Sequence, residues 1–151
     1  MDIKNLKLNI EQKVLGAKRV VIVPHNRIDF DAIGSALGLA VIVKKMNAEP
    51  LIVVDDDISK MQRGIQTIIA DVKGSYRILT RDEYLSEMDS EDLVILTDVN
   101  KSRMVSIGDT INNPDNTIII DHHNMDDTTI DSNASFVDEH VSSASEIVAR
   151  L

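Results

Sequence analysis

The sequence predicts an α/β fold, a doubly wound and mostly parallel five-stranded sheet flanked by helices. Three observations predict it. Short continuous aliphatic runs recur along the chain, as strands buried on both faces require. Segments with apolar residues at helical spacing lie between those runs. The core must also be aliphatic, because hydrophobic residues make up 43% of the 151 residues and aromatics only 3%. A chain of this length buries roughly 68–70% of its unfolded surface, which suffices for one domain.

The elements follow in order. Leu6, Leu8, Ile10, Val14 and Leu15 place a short helix near the start, and residues 1–17 are read as an N-terminal helix or linker. Residues 18–151 then form the principal domain. Its first strand is the run Arg19-Val20-Val21-Ile22-Val23-Pro24, closed by proline, and a helix from Ile33 to Met46 follows with Lys44 and Lys45 at its basic end. Leu51 to Val54 is the second strand and Ser59 to Val72 the second helix of the domain. A third strand over Tyr76 to Leu79 leads into a short helix from Arg81 to Met88. Asp92 to Thr97 and Asn116 to Ile120 are the fourth and fifth strands, with a weak helical turn at Val105 to Gly108 between them. A last helix starts after Ser142-Ser143, where Ser143 and Glu146 have the spacing of a capping box. The stretch Glu146 to Leu151 has neither a glycine cap nor a polar tail, so the domain is expected to continue past Leu151.

Composition removes several function classes. The formal charge is −9, from 25 acidic and 16 basic residues, which argues against a binder of duplex nucleic acid. With no cysteine there are neither disulfides nor thiolate metal sites, which is compatible with a reducing, cytoplasmic setting. No apolar run reaches the roughly 18–20 residues that a membrane-spanning helix needs. Met1-Asp2-Ile3-Lys4 lacks the charged-then-apolar form of a signal peptide.

In open α/β sheets, ligands bind beyond the carboxyl ends of the strands. Three predicted strands run into polar clusters there: His25 to Asp31 after the first, Asp98-Val99-Asn100 after the fourth, and Asp121-His122-His123 after the fifth. Each has a plain reading when taken alone. His25 and Asp29-Phe30-Asp31 fit a solvated loop, and Asp98-Val99-Asn100 fits a turn. Together they bring Asp29, Asp31, Asp98 and Asp121 to one sheet edge with three of the four histidines. Like charges 4 Å apart repel by roughly 4 kcal/mol at an effective dielectric near 20, and divalent cations turn that repulsion into binding. Asp29 and Asp31 are expected to face one side of an extended segment. Mixed carboxylate and imidazole ligands suit manganese or iron better than magnesium or calcium. Gly34-Ser35 is expected to open a helix whose free N–H groups assist phosphate binding. Asp55-Asp56-Asp57 reads as a solvated loop and helix start, and His140 as an exposed loop residue.

His25-x-x-x-Asp29-x-Asp31-Ala32-x-Gly34-Ser35, then Asp98, then Asp121-His122-His123, then Ser142-Ser143-Ala144-Ser145-Glu146 resembles the DHH phosphoesterase family, from about Val20 to the end of the chain. Within it, Phe30, Asp98-Val99-Asn100 and the serine-rich helix start are most similar to the branch that hydrolyses cyclic di-AMP. The resemblance implies a Rossmann-like domain with two Mn2+ ions, Fe2+ being the alternative. His25 and Asp29 would bind the first ion, Asp31 and His122 the second, and Asp98 both. Asp121 would orient a histidine and His123 would act on the substrate. The implied activity is hydrolysis of cyclic di-AMP to linear pApA by two-metal activation of water. The implied partners are the cyclic dinucleotide and a second copy in a homodimer. The implied place is the cytoplasmic face of a membrane that a longer parent chain is anchored to. The family's last metal-binding aspartate and its substrate-binding DHHA1 subdomain would lie beyond Leu151. A nanoRNase, a pyrophosphatase-like hydrolase and a non-catalytic fragment are the alternatives.

Overall fold

The computed structural model describes residues 2–55 and 57–151, so the readings of Met1 and Asp56 lie outside the described residues. The chain opens with helix α1 (Ile3–Gly16), and strand β1 (Val20–Pro24) leads into helix α2 (Phe30–Lys45). Strand β2 (Pro50–Val54) and helix α3 (Arg63–Val72) follow, then strand β3 (Arg77–Thr80) and helix α4 (Arg81–Leu85). Strands β4 (Leu93–Thr97), β5 (Thr117–Asp121) and β6 (Ala134–Val137) precede the closing helix α5 (Ala144–Ala149). The strands form one six-stranded sheet in the order β3-β2-β1-β4-β5-β6. Every pairing is parallel. This is the doubly wound order in which the chain reverses direction between β1 and β4, leaving a crevice at their carboxyl ends.

The expected α/β architecture therefore holds, with one strand more than the five expected. Strand β6 has only four residues, with buried and half-buried side chains alternating, so it lacks the continuous aliphatic run that marks the others. Helix α2 begins three residues earlier than expected because Asp29 caps it, its carboxylate accepting from the Ala32 N–H at 2.9 Å. The expected helix from Ser59 divides into a 3₁₀ turn at Ile58–Lys60 and α3. The weak turn near Val105 resolves into 3₁₀ turns at Ser102–Met104 and Gly108–Thr110. At α5 only half of the capping box forms: Ser143 accepts from the Glu146 N–H at 3.1 Å, whereas the Glu146 carboxylate turns to the N–H and hydroxyl of Ser142.

Because side chains alternate along a strand, the sheet supplies two cores. Ile22, Ile52, Ile95, Ile118 and Ile120 face α1, α2, α3 and α5. Val21, Val23, Leu51, Val53, Leu96 and Ile119 face the other way, against Tyr84 of α4 and Val99, Val105 and Ile107 of the 3₁₀ region. Helix α5 lies close on α2, where a Cβ on Gly34 would come within 3.2 Å of Ser145 Oγ and one on Gly38 within 2.8 Å of Val148 Cγ1. Among the described residues, no helix is long and apolar enough to cross a membrane.

The amino end of the central strand pair is fixed by charge. Asp92, just before β4, is buried and takes Arg19 Nε at 2.7 Å and Arg19 Nη2 at 2.6 Å. The Tyr84 hydroxyl donates to it at 2.9 Å and the Asp89 N–H at 3.1 Å. Burial pushes the Asp92 carboxyl up, but the Arg19 guanidinium, the Asp89 N–H and the Tyr84 hydroxyl outweigh it and hold the group below its usual value. Removing one partner of such a pair leaves a buried charge and costs about 3–5 kcal/mol. We predict that Asp92→Ala lowers unfolding stability by about 3 kcal/mol at neutral pH. A folded pKa below the unfolded one stabilises above the unfolded value, near ~3.9, and that contribution is lost as pH falls through the folded pKa. The gap between wild type and variant in denaturant melts should accordingly be constant above about pH 5 and close in stronger acid. A gap that persists unchanged at pH 2 would contradict this.

Candidate metal centre

The carboxyl ends of β1, β4 and β5 deliver their polar clusters to one place. The register pairs Pro24 with Thr97 and Thr97 with Ile120, so His25, Asp98 and Asp121 leave the sheet side by side. Asp98 is buried and adopts a left-handed backbone with φ of 59°. This conformation costs a non-glycine residue roughly 1–2 kcal/mol, and its N–H still reaches Ile120 O at 3.0 Å. The bend aims the carboxylate between two sets of side chains. Asp98 Oδ2 lies 3.5 Å from His25 Nε2, which is in turn 3.7 Å from Asp29 Oδ1. Asp98 Oδ1 lies 3.3 Å from His122 Nε2 and 3.7 Å from His123 Nδ1, and His122 Nε2 is 3.7 Å from Asp31 Oδ2.

Most of these separations exceed hydrogen-bond length, so nitrogens and oxygens surround common points rather than bond one another. Among the described residues, two groups meet the spacing that a cation needs, His25 with Asp29 and Asp98, and Asp98 with His122 and His123. A second observation fits a cation as well. Among the described residues, the buried side-chain oxygens without a hydrogen-bond partner are those of Asn26, Thr97, Asp98, Asn100 and Asp121. All five residues sit at or just beyond the carboxyl ends of β1, β4 and β5. Buried acceptors left unpaired are costly, and their concentration at one edge fits cations and their waters.

The rings of His25 and His123 are each held by a hydrogen bond at Nδ1. His25 Nδ1 donates to Asn26 O at 2.5 Å, which leaves Nε2 facing the carboxylates. The Asp98 carboxylate, helped by Asn26 O and Asp29, outweighs burial and raises the His25 pKa to about 9. Burial raises the Asp98 carboxyl above its ordinary value, with His25 opposing and Asp31 adding to the rise. Asp121, fully buried, accepts on Oδ1 from the His122 N–H at 2.8 Å, the His123 N–H at 3.3 Å and His123 Nδ1 at 2.8 Å. The adjacent rings tilt at 46° with centroids 4.4 Å apart.

Six of the seven residues singled out in the sequence border the hollow, with Asp121 buried behind His123, but Asp29 and Asp31 do so differently from expectation. They belong to the helix start rather than to an extended segment, Asp29 as the cap and Asp31 in the first turn. Asp31 also holds α5, its oxygens accepting from the Ala144 and Ser145 N–H groups at 2.8 Å each. Burial pushes the Asp31 carboxyl up, yet the hydrogen bonds from Ser145 and Ala144 prevail and keep it below its usual value. A carboxylate has about four acceptor positions, so this contact leaves room for a cation. Gly34 and Ser35 are not a helix start; the Ser35 hydroxyl is buried and donates to Ala32 O at 3.1 Å.

Two supporting residues fall outside the seven candidates. Asn100 is buried and donates through Nδ2 to His123 O at 3.1 Å, holding the paired histidines. Asp55, read as a solvated loop residue, accepts the Arg27 N–H at 2.8 Å and fixes the loop between His25 and Asp29. Only their place just beyond β4 and β2 marks them. His140 is exposed, as expected.

The chain is similar to known proteins in sequence and in fold. The pattern of the DHH family, N-terminal domain, matches residues 19–151. Among curated proteins, the chain is 24% identical over 147 residues to the cyclic-di-AMP phosphodiesterase GdpP of Bacillus subtilis, covering 94% of this chain and 22% of that protein. It is 26% identical to the enzyme of the same name from Geobacillus thermodenitrificans, with the same coverage. The chain thus spans about a fifth of the length of these relatives. Among solved structures, an exopolyphosphatase-related protein from Bacteroides fragilis superposes with a TM-score of 0.70 at 25% identity, over 97% of this chain and 42% of the other.

We predict that Mn2+ at about 100 times its dissociation constant raises unfolding stability by about 2.7 kcal/mol. Asp98→Asn, which withdraws charge from both groups, should abolish that gain. Thermal melts with and without the ion decide it. A gain kept by Asp98→Asn would place the ion elsewhere.

Proposed function

We propose that this chain, which belongs to the DHH family, holds two manganese ions and hydrolyses cyclic di-AMP to linear pApA. The observation that carries the reading is the placement of Asp98, with His25 on one carboxylate oxygen and His122 on the other. His25 and Asp29 would hold one ion, Asp31 and His122 the other, and Asp98 both. Bound there, the cations would supply an acidified water and neutralise the phosphate oxygens.

The remaining work falls to the chain's own groups. Asp121 Oδ1, fixed by the backbone N–H groups of the two histidines, holds the His123 Nδ1 proton. His123 then presents Nε2 toward solvent, and its side chain is 57% exposed, open to a substrate. From there, as the imidazolium, it would donate its Nε2 proton to the 3′-oxygen as the water's oxygen bonds to phosphorus and the bond from phosphorus to the 3′-oxygen breaks. Asn100 positions the same loop through His123 O. The hollow between these groups measures about 300 Å³ and is bordered by Met104, Ser142 and Ser143 besides the ligands. That is room for a phosphodiester but not for a whole dinucleotide. The names of the two curated relatives support the substrate. The exopolyphosphatase-related structure supports a second reading, cleavage of a phosphoanhydride by the same groups.

The test is manganese-dependent release of pApA from cyclic di-AMP, followed by chromatography, with inorganic polyphosphate assayed in parallel. His123→Ala should lower kcat by about 10²–10⁴-fold while manganese binding persists. Cleavage of polyphosphate alone would select the second reading. Two bound ions without turnover of either substrate would overturn both.

A further inference from the structure

Beside the metal centre lies a larger cavity that the ligands do not use. It measures about 640 Å³, and Arg27, Ile28, Asp55, Met61 and Gln62 border it. Arg27 and Ile28, which border it, lie on the short loop between His25 and Asp29, which border the metal centre. Its size is that of a site for a small organic ligand. Ile28 and Met61 supply apolar surface. Asp55 spends one oxygen on the Arg27 N–H and keeps the other as an acceptor. Lys60 and Asp57, on the same rim, pair with each other at 2.6 Å. The Arg27 guanidinium has no ion-pair partner among the described residues, in a chain whose formal charge is −9.

Phe30 is not among the lining residues but follows Ile28 by two positions, and its ring lies against Gly64, two positions after Gln62. The chain has two phenylalanines and two tyrosines. Phe136 and Tyr84 are buried and Tyr76 is half-buried, whereas Phe30 is 58% exposed. Its ring rests against Gly64, where a Cβ would come within 2.8 Å of Phe30 Cζ. Gly64 therefore lets the ring lie against the first turn of α3, directly after Met61 and Gln62. A large apolar ring kept in water next to a polar site gains nothing for the fold and offers a stacking face.

We propose that this cavity takes one adenine base of the substrate, a reading that rests on the dinucleotide activity proposed above. Phe30 stacks on the base, Met61 and Ile28 line its flat side, and the free Asp55 oxygen accepts from the exocyclic amino group. The Gln62 amide donates to a ring nitrogen, and Arg27 meets the phosphate between base and metal centre. Phe30, Gln62 and Arg27 are then the residues that tell a nucleotide from a bare phosphate.

The experiment uses the ¹⁵N-labelled chain with metal removed by chelator, so binding is read without turnover. AMP and adenosine are expected to shift the amides of Met61, Gln62 and Gly64, and ribose 5-phosphate to leave them in place. Phe30→Ala and Gln62→Ala should each weaken AMP binding by about fivefold or more. Equal shifts with ribose 5-phosphate would make this a phosphate site and overturn the proposal, as would AMP binding that leaves those amides unmoved. AMP binding here without cyclic di-AMP turnover would sink the activity proposed above but not the pocket. Turnover with no base binding here would sink the pocket alone.

Discussion

The register of three parallel strands is the constraint on which the site depends. Val20 to Pro24 lie opposite Leu93 to Thr97, and Val94 to Thr97 lie opposite Thr117 to Ile120. A slip of one residue would turn every side chain of a strand to the other face. Both faces are apolar here, so the register is held by the fit of tens of buried side chains that have no chemical role. His25, Asp98 and Asp121 inherit their alignment from that packing. The precision of the site is therefore a property of the sheet.

The two ends of the sheet treat charge in opposite ways. At the amino end, the Asp92 carboxylate meets a guanidinium, a phenol and a backbone amide, and its acceptor capacity is filled. At the carboxyl end, Asp98 and Asp121 each keep a buried oxygen without a partner. Both ends bury carboxylates, so burial alone does not separate a structural acid from a functional one. What separates them is whether the protein itself completes the hydrogen bonds. The strained backbone of Asp98 belongs to the same incomplete end.

This division also explains what was legible in the sequence. Strands β1, β2, β4 and β5 announce themselves because both faces are buried and each residue must be apolar. Strand β6 sits at the sheet edge, half its residues only partly buried, and so reads like the loop before it. The seven candidate residues could be named because strand ends and topology are enough to collect them. The position of Asp29 and Asp31 within a helix start was not legible, since Phe30 is exposed and gives no apolar period to count. Asn100 and Asp55 were illegible as supports for another reason. Their parts depend on the path of a loop backbone, which residue type does not encode.

The contact between Asp31 and α5 has a thermodynamic side. One carboxylate serves both as a candidate ligand and as the acceptor for the Ala144 and Ser145 N–H groups, more than a hundred residues away. Two equilibria that share a group are linked, and linkage is reciprocal. If a cation favours the orientation of Asp31 seen here, it tightens α5 against Gly34 and Gly38 by the same factor by which docked α5 tightens the cation. Small residues on α2 thereby act as a bearing surface, and the last helix of the chain becomes a gauge of how full the metal site is.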